Sequence, residues 1–414
     1  MSDEDSGARA YTATDAVARR SYGKLIAFLA ARTQDVAAAE DALADAFAAA
    51  LSDWPRNGCP ANPEAWLLTV ARRRIVDAAR RRRTADAATQ AVEISGPLEA
   101  AVRETEIPDR RLALLFTCAN PAIDAGIRAP LMLQTVLGLD AQTIASAFLT
   151  SPSAMAKRLG RAKEKIRSAG VPFRIPERDE LPGRLEAVLD AIYAAFTEGW
   201  SDANGTDPAR RDLTHEAIFL ARLVTEMLPE QAEGFGLLAL VLYAEARRRA
   251  RRSADGEYIP FDEQDPRLWD AEMMAEAETL LLRASVLACA GRYQTEAALQ
   301  SAHTHRRTSG EANWPVIVQL YDILFELTGS PVVAINRALA AAESDGPAAA
   351  LDTIDRLAAD PRVESYQPYW AARAELMART GAHSGSRRAY EIAIGLERDP
   401  AVRRFLERRR SALP

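Results

Sequence analysis

Apolar residues recur along this chain at spacings of three, four and seven, the period of a helix buried on one side, and β-branched runs are scarce. The clearest case is residues 139–167. Its first part carries Ile144, Ala145 and Phe148, then breaks at Leu149-Thr150-Ser151-Pro152. Its second part sets Met155, Leu159, Ala162 and Ile166 on one face, with Lys157, Arg158, Arg161, Lys163, Lys165 and Arg167 off that stripe. The pattern predicts a helix, a tight turn and a basic second helix, a helix-turn-helix whose second helix can enter a DNA major groove. An ordinary helical hairpin with a solvated basic face is the alternative.

The same period runs through the rest of the chain. From residue 15 to about 51, Leu25, Phe28 and Leu29 form one apolar group, and Ala39, Leu43, Ala46, Phe47, Ala50 and Leu51 the next. Asp41 and Asp45 lie four apart on another face with Glu40 nearby, a pattern that by itself fits a solvated surface. Trp54-Pro55 is expected to end this helix, and RNGCPAN is a loop by its Gly, Pro and Asn content. Asn62 is placed to cap the next helix, with Pro63 at its first position. That helix, PEAWLLTVARRRIVDAARRRR, turns Leu67, Val70, Ala71, Ile75 and Ala78 to a core. Its seven arginines (Arg72, Arg73, Arg74, Arg80, Arg81, Arg82 and Arg83) have a single acidic residue among them, Asp77, and Arg73 and Arg80 share a face. Phosphate contact is the first reading of this density, and a solvated helix end is the other. Residues 84–108 lack a strong period and read as a linker, after which helices resume from 109 into the helix-turn-helix.

Beyond Gly170 a proline-rich stretch, VPFRIPERDELPGR, is expected to act as a hinge. A series of amphipathic helices follows, the first with Leu185, Val188, Leu189, Ile192 and Phe196 on one face. Helix pairs separated by Pro and Gly predict a stacked array. Near its end Leu376, Gly381, Tyr390, Ala393 and Pro400 fit a degenerate tetratricopeptide pattern. The fold class is therefore all-α.

Charge sharpens the division. The overall −6 hides a first part, residues 1–170, with 23 Lys and Arg against 20 Asp and Glu, and a remainder with 29 against 38. Polyanion binding belongs to the first part. Three widely spaced cysteines without a CxxC give neither a zinc site nor a disulfide framework, and a reducing cytoplasm is the simplest setting. The polar start MSDEDSGARA is unlike a signal peptide, and no apolar run approaches the roughly 18 residues that span a membrane. No cofactor or metal is expected. The acidic loop at residues 255–270 lacks calcium-loop spacing and is read as packing Tyr258, Phe261 and Trp269 into the array. His303 and His305 point apart on a helix, and neither a Ser-His-Asp constellation nor a Gly-rich phosphate loop occurs, so no enzyme activity is expected.

The order AEDALADAF, AWLLTVARRRIVDAARR, linker and RLGRAKEKIR resembles an extracytoplasmic-function (ECF) sigma factor of bacterial RNA polymerase. The stretches FRIPERDELPGRLEAVLDAIYAAFTEGW, FDEQDPRLWD and LYDILFELTGSPVVAINRALA resemble the group of that family with a C-terminal tetratricopeptide-like extension. The resemblance implies a flexible tail (1–14), sigma region 2 (15–83), a linker (84–108), a region 4 helix-turn-helix (109–170) and a regulatory helical domain (171–414). It implies that Asp41 and Asp45, with Glu40, dock on the clamp helices of the polymerase's largest subunit. It assigns −10 recognition to Trp66, Arg72, Arg73, Arg74 and Arg80, although Trp66 fits a core position equally. The loop at residues 56–62 corresponds to the one that holds a flipped base, and Ser151, Ser153, Lys157, Arg158 and Arg161 to the −35 reader. Ala44, Arg74 and Ala156 depart from the family's usual residues. Expected partners are core RNA polymerase, promoter DNA and a protein ligand of the array, with no membrane, in the cytoplasm and at the nucleoid. A freestanding helix-turn-helix regulator with a helical interaction domain would explain the basic hairpin but not the acidic helix, loop and arginine helix before it. A scaffold built on the array is a further alternative.

Overall fold

The computed structural model describes residues 14, 21–85, 108–148, 150–200, 208–287 and 290–414. Outside them lie nearly all of the expected tail and linker, Leu149 of the turn and Cys289. Residues 79–85 are described as helix without their side chains, so the placement of the Arg80–Arg83 side chains is not described. Among the described residues the regular secondary structure is α-helix, with three short 3-10 turns and one isolated bridge between Arg252 and Tyr258. The all-α expectation holds.

Two compact units make up the chain: residues 1–201 with 207–223, and 202–206 with 224–414. In the first, α1 covers residues 21–33, α2 Val36–Asn57 and α3 Pro63–Ala85. Next come α4 (Arg111–Cys118), α5 (Ala125–Leu137), α6 (Ala141–Ala147), α7 (Pro152–Ser168) and α8 (Leu181–Trp200). Short polar side chains start these helices. Asp35 accepts from the Ala38 N–H, Asn62 from Ala65 and Asp124 from Gly126, satisfying donors a helix leaves unpaired.

One stop signal does not act as expected. Pro55 does not end α2, which continues to Asn57 and closes with the Gly58 N–H on the Trp54 carbonyl. A proline in the last turn deprives only the Leu51 carbonyl of its partner. Leu51 is 45% exposed, on the side where water replaces the lost bond, and so is not the core residue expected.

Helix α2 packs on α3, α4 on α5, α6 on α7, and α5 also meets α7 and α8. The expected hinge after Gly170 is docked. Val171 and Phe173 are buried, Thr117 Oγ1 donates to the Pro172 carbonyl, and Arg184 donates to the Phe116 carbonyl at 3.1 Å. Compactness therefore groups α8 and the start of α9 (Pro208–Met227) with the helices before them, C-terminal to the boundary expected at residue 170.

The second unit stacks α10 (Ala232–Ala246), α11 (Ala271–Val286), α12 (Arg292–Ser309), α13 (Trp314–Thr328), α14 (Pro331–Ser344), α15 (Pro347–Leu357), α16 (Pro361–Glu364), α17 (Gln367–Arg379), α18 (His383–Leu396) and α19 (Pro400–Ser411). Neighbours in sequence are mostly neighbours in space. Gly236 lets α10 approach α12 so closely that a Cβ would meet the Gln294 backbone nitrogen at 2.5 Å. Beside it the Glu233 carboxylate accepts from the Tyr293 and Gln294 N–H groups at 2.9 and 3.0 Å, closing the start of α12. Leu376, Tyr390 and Ala393 are buried across the α17–α18 pair, and Gly381 makes the turn at φ +81°. Trp269 is buried as expected from the acidic loop, stacked on Phe261. The loop's carboxylates pair with arginines: Asp262 with Arg306, and Glu257 with Arg404 and Arg408 at 2.7 and 2.6 Å.

Candidate nucleic-acid interface

Helix α7 is built for exposure on one side. Met155, Leu159, Ala162 and Ile166 are all buried, and this forces Ser153, Lys157 and Arg161 outward. Ser151 caps it, accepting from the Ala154 N–H at 3.3 Å, with Pro152 at the first position. The turn before it is held by the Thr150 N–H on the Ala145 carbonyl. The exposed N-terminus, two serines and two cations form a surface suited to a phosphate backbone. Arg158 differs from its neighbours. Its guanidinium donates to the Gly126 carbonyl at 3.0 Å, tying α7 to the start of α5. Arg158, Arg161 and Lys165 also line a cavity of about 340 Å³ beside Asp124.

The second basic element is α3. Trp66 and Arg73 are seven apart and share a face with Arg80. Arg73 is exposed, while Trp66 is half-buried with its ring edge-to-face on buried Trp54, 5.6 Å between centroids. Trp66 is thus both a packing residue and an accessible one. Arg72 is half-buried. Arg74 is exposed and lies 3.7 Å from Asp45, which joins an expected DNA contact to an expected polymerase contact. Arg56, Asn57, Gly58 and Cys59 of the intervening loop are exposed, with Gly58 at φ +84°.

The three acidic residues of α2 separate. Asp41 and Asp45 are exposed on one face. Glu40 turns inward and pairs with Lys163 of α7, the two side chains only 14% and 11% exposed. Burial pushes the Glu40 carboxyl above the usual carboxylate range, against the pull of Lys163. Burial likewise raises the phenol of nearby Tyr22, with the Glu40 charge adding to it. Asp41, Asp45, Arg74, Lys163 and Arg167 line one cleft of about 580 Å³. The sequence reading missed Lys163 as a partner of α2. Nothing local marks a contact spanning 123 positions.

Among the described residues no cluster of His, Cys, Asp or Glu could hold a metal ion, and no helix is long and apolar enough to cross a membrane.

Residues 17–85 match sigma-70 region 2, and residues 184–285 match a family of unknown function, DUF6596. Uncharacterized protein R00370 of Rhizobium meliloti (strain 1021) is 38% identical over 367 residues, 86% of each chain. No solved structure matches. The chain belongs to the family of the Rhizobium protein, and its N-terminal part is a sigma-70 region 2 domain, which supports a sigma-factor role in transcription initiation by RNA polymerase. That domain implies binding of core polymerase and promoter DNA.

Proposed function

We propose that the chain is an ECF-type sigma factor. It docks on the clamp helices of core polymerase through Asp41 and Asp45, and reads a −10 element with the Trp66–Arg73 face of α3. It reads a −35 element with the Ser153–Lys157–Arg161 face of α7. The polymerase makes the bonds and this chain selects the site, with no enzymatic activity of its own. In this reading it works in the cytoplasm, at the nucleoid, and its tetratricopeptide-like helical domain modulates the output. The observation that carries the reading is the sigma-70 region 2 match across α1–α3, in the same compact unit as a capped helix whose cations are forced outward.

The test is co-purification with core polymerase followed by run-off transcription. Asp41→Asn with Asp45→Asn should abolish co-purification and leave DNA binding by α7 intact, and Lys157→Ala with Arg161→Ala should do the reverse. Failure of the wild-type chain to bind core polymerase would reject the proposal and favour a freestanding DNA-binding regulator.

A further inference from the structure

Helix α13 is apolar on more than the side it buries. Ile317 and Leu324 close its inner face. Val316, Leu320, Ile323 and Leu327 follow one another at spacings of four, three and four, a second stripe on another side. Val316, Ile323 and Leu327 are 51%, 44% and 49% exposed. Single exposed apolar residues are ordinary on a protein surface, but a continuous stripe along one helix marks a surface made for contact.

The stripe extends the wall of a trough. Val316 and Leu320 line a cavity of about 600 Å³ together with Met274 and Leu281 of α11 and with Ala298 and Ala302 of α12. Helix α12 packs against both α11 and α13, and its small side chains leave the trough its depth. One carboxylate lies there, Glu278 of α11. Its Oε2 accepts from the Tyr243 hydroxyl and, at 2.8 Å, from Ser301 Oγ, which fixes the group and leaves Oε1 for another donor. Carboxylates elsewhere in this unit take arginine partners, as in Asp322–Arg337, Glu343–Arg379 and Asp355–Arg373. Glu278 is held by neutral hydroxyls instead, and no Lys or Arg is among the described residues that line the trough. His305, which also lines it, lies 3.5 Å from Glu311.

We propose that this trough docks a helix of a partner protein, one that carries an apolar stripe flanked by Lys or Arg. Length argues for a helix. From Val316 to Leu327 the stripe runs roughly 16 Å at about 1.5 Å per residue, beyond the cavity that a small molecule would fill. An amphipathic helix laid along it would match apolar positions three and four apart. Charge argues for the flanking cations: Glu278 stands in the trough and exposed Glu326 beside the stripe, with no Lys or Arg in the lining to answer them. Charge also argues against a second copy. A two-fold pairing through this face would set Glu278 and Glu326 near their own counterparts. Nothing in this site depends on the chain being a sigma factor.

Fluorescence polarisation on the full chain tests this, with a labelled peptide of two Leu-Lys-Lys-Leu-Leu-Lys-Leu repeats as the probe. Scrambling the stripe at constant composition, or replacing each Lys of the peptide by Glu, should weaken binding by about tenfold or more. Glu278→Gln should weaken it by about threefold or more, and Val316→Ser with Ile323→Ser by about tenfold or more. All three altered side chains are exposed, so thermal melts of these variants should match the wild type. The Met274 methyl resonance, in carbon-13 methionine-labelled chain, reports the place of binding. It should shift saturably with the probe in the wild type and stay still in the double serine variant. Equal binding of the scrambled peptide, a Met274 methyl unmoved at saturation, or wild-type affinity in the variants would overturn the proposal. So would a dimer in sedimentation that the double serine variant dissociates, since a second copy would then be the occupant.

Discussion

Acid should weaken the second unit through one side chain, His303. It is enclosed by Phe261, Trp314 and Tyr321, ring centroids 5.7 to 6.4 Å away, and Arg306 and Arg247 add like charge against a single facing Asp262. Burial first, and then the arginines, hold the imidazole down at about 4. Unfolded, it titrates near 6.5. Between these values the unfolded chain binds a proton that the fold refuses, so stability falls as pH drops from 6.5 towards 4. At pH 5 the gap of about 1.5 units corresponds to about 2 kcal/mol relative to pH 7.5. Glu233, whose carboxyl is raised by burial, acts in the opposite sense, so the wild type must be compared with His303→Phe. Urea unfolding at both pH values, with fluorotryptophan resonances of Trp269 and Trp314 reporting this unit, gives the number. The wild type should lose about 2 kcal/mol more than the variant; equal losses would refute the burial argument.

Three further outcomes are expected. Arg161→Ala should weaken DNA binding by about 1–3 kcal/mol without changing the melting temperature, whereas Arg158→Ala should lower both, because Arg158 also holds the Gly126 carbonyl; binding isotherms and thermal melts separate them. Gly236→Ala should destabilise the second unit by about 1–3 kcal/mol or more in urea titrations, since its Cβ would meet the rigid backbone of α12. Asp399→Ala removes the cap of α19 and strands Arg252, 9% exposed, so a loss of at least about 3 kcal/mol is expected by the same titration.

Local chemistry explains which parts of the fold were legible. Ser151-Pro152 and the four-residue stripe behind it specify α7 by capping and periodicity, and Asn62-Pro63 does the same for α3. Pro55 misled because a proline's effect depends on whether the carbonyl it orphans can reach water. Glu40 was grouped with Asp41 and Asp45 by resemblance. Its separation comes from Lys163, a tertiary partner that no spacing rule reveals. A signal did exist at α1: Leu25-Ile26-Ala27-Phe28-Leu29-Ala30 fits no single stripe, and a helix apolar all round is one covered all round. The docking of the proline-rich stretch on α4 was hidden for a related reason. Pro and Gly mark where helices stop, and say nothing of what the connecting chain packs against.

The central claim is that this chain chooses start sites for RNA polymerase. The direct measurement is the mapping of transcript 5′ ends made by core polymerase on fragmented genomic DNA, with and without the chain. The account predicts discrete start sites that appear only with the chain, disappear with Asp41→Asn and Asp45→Asn, and share an upstream element lost in Arg161→Ala. Transcripts with the same scattered ends in both reactions would contradict it.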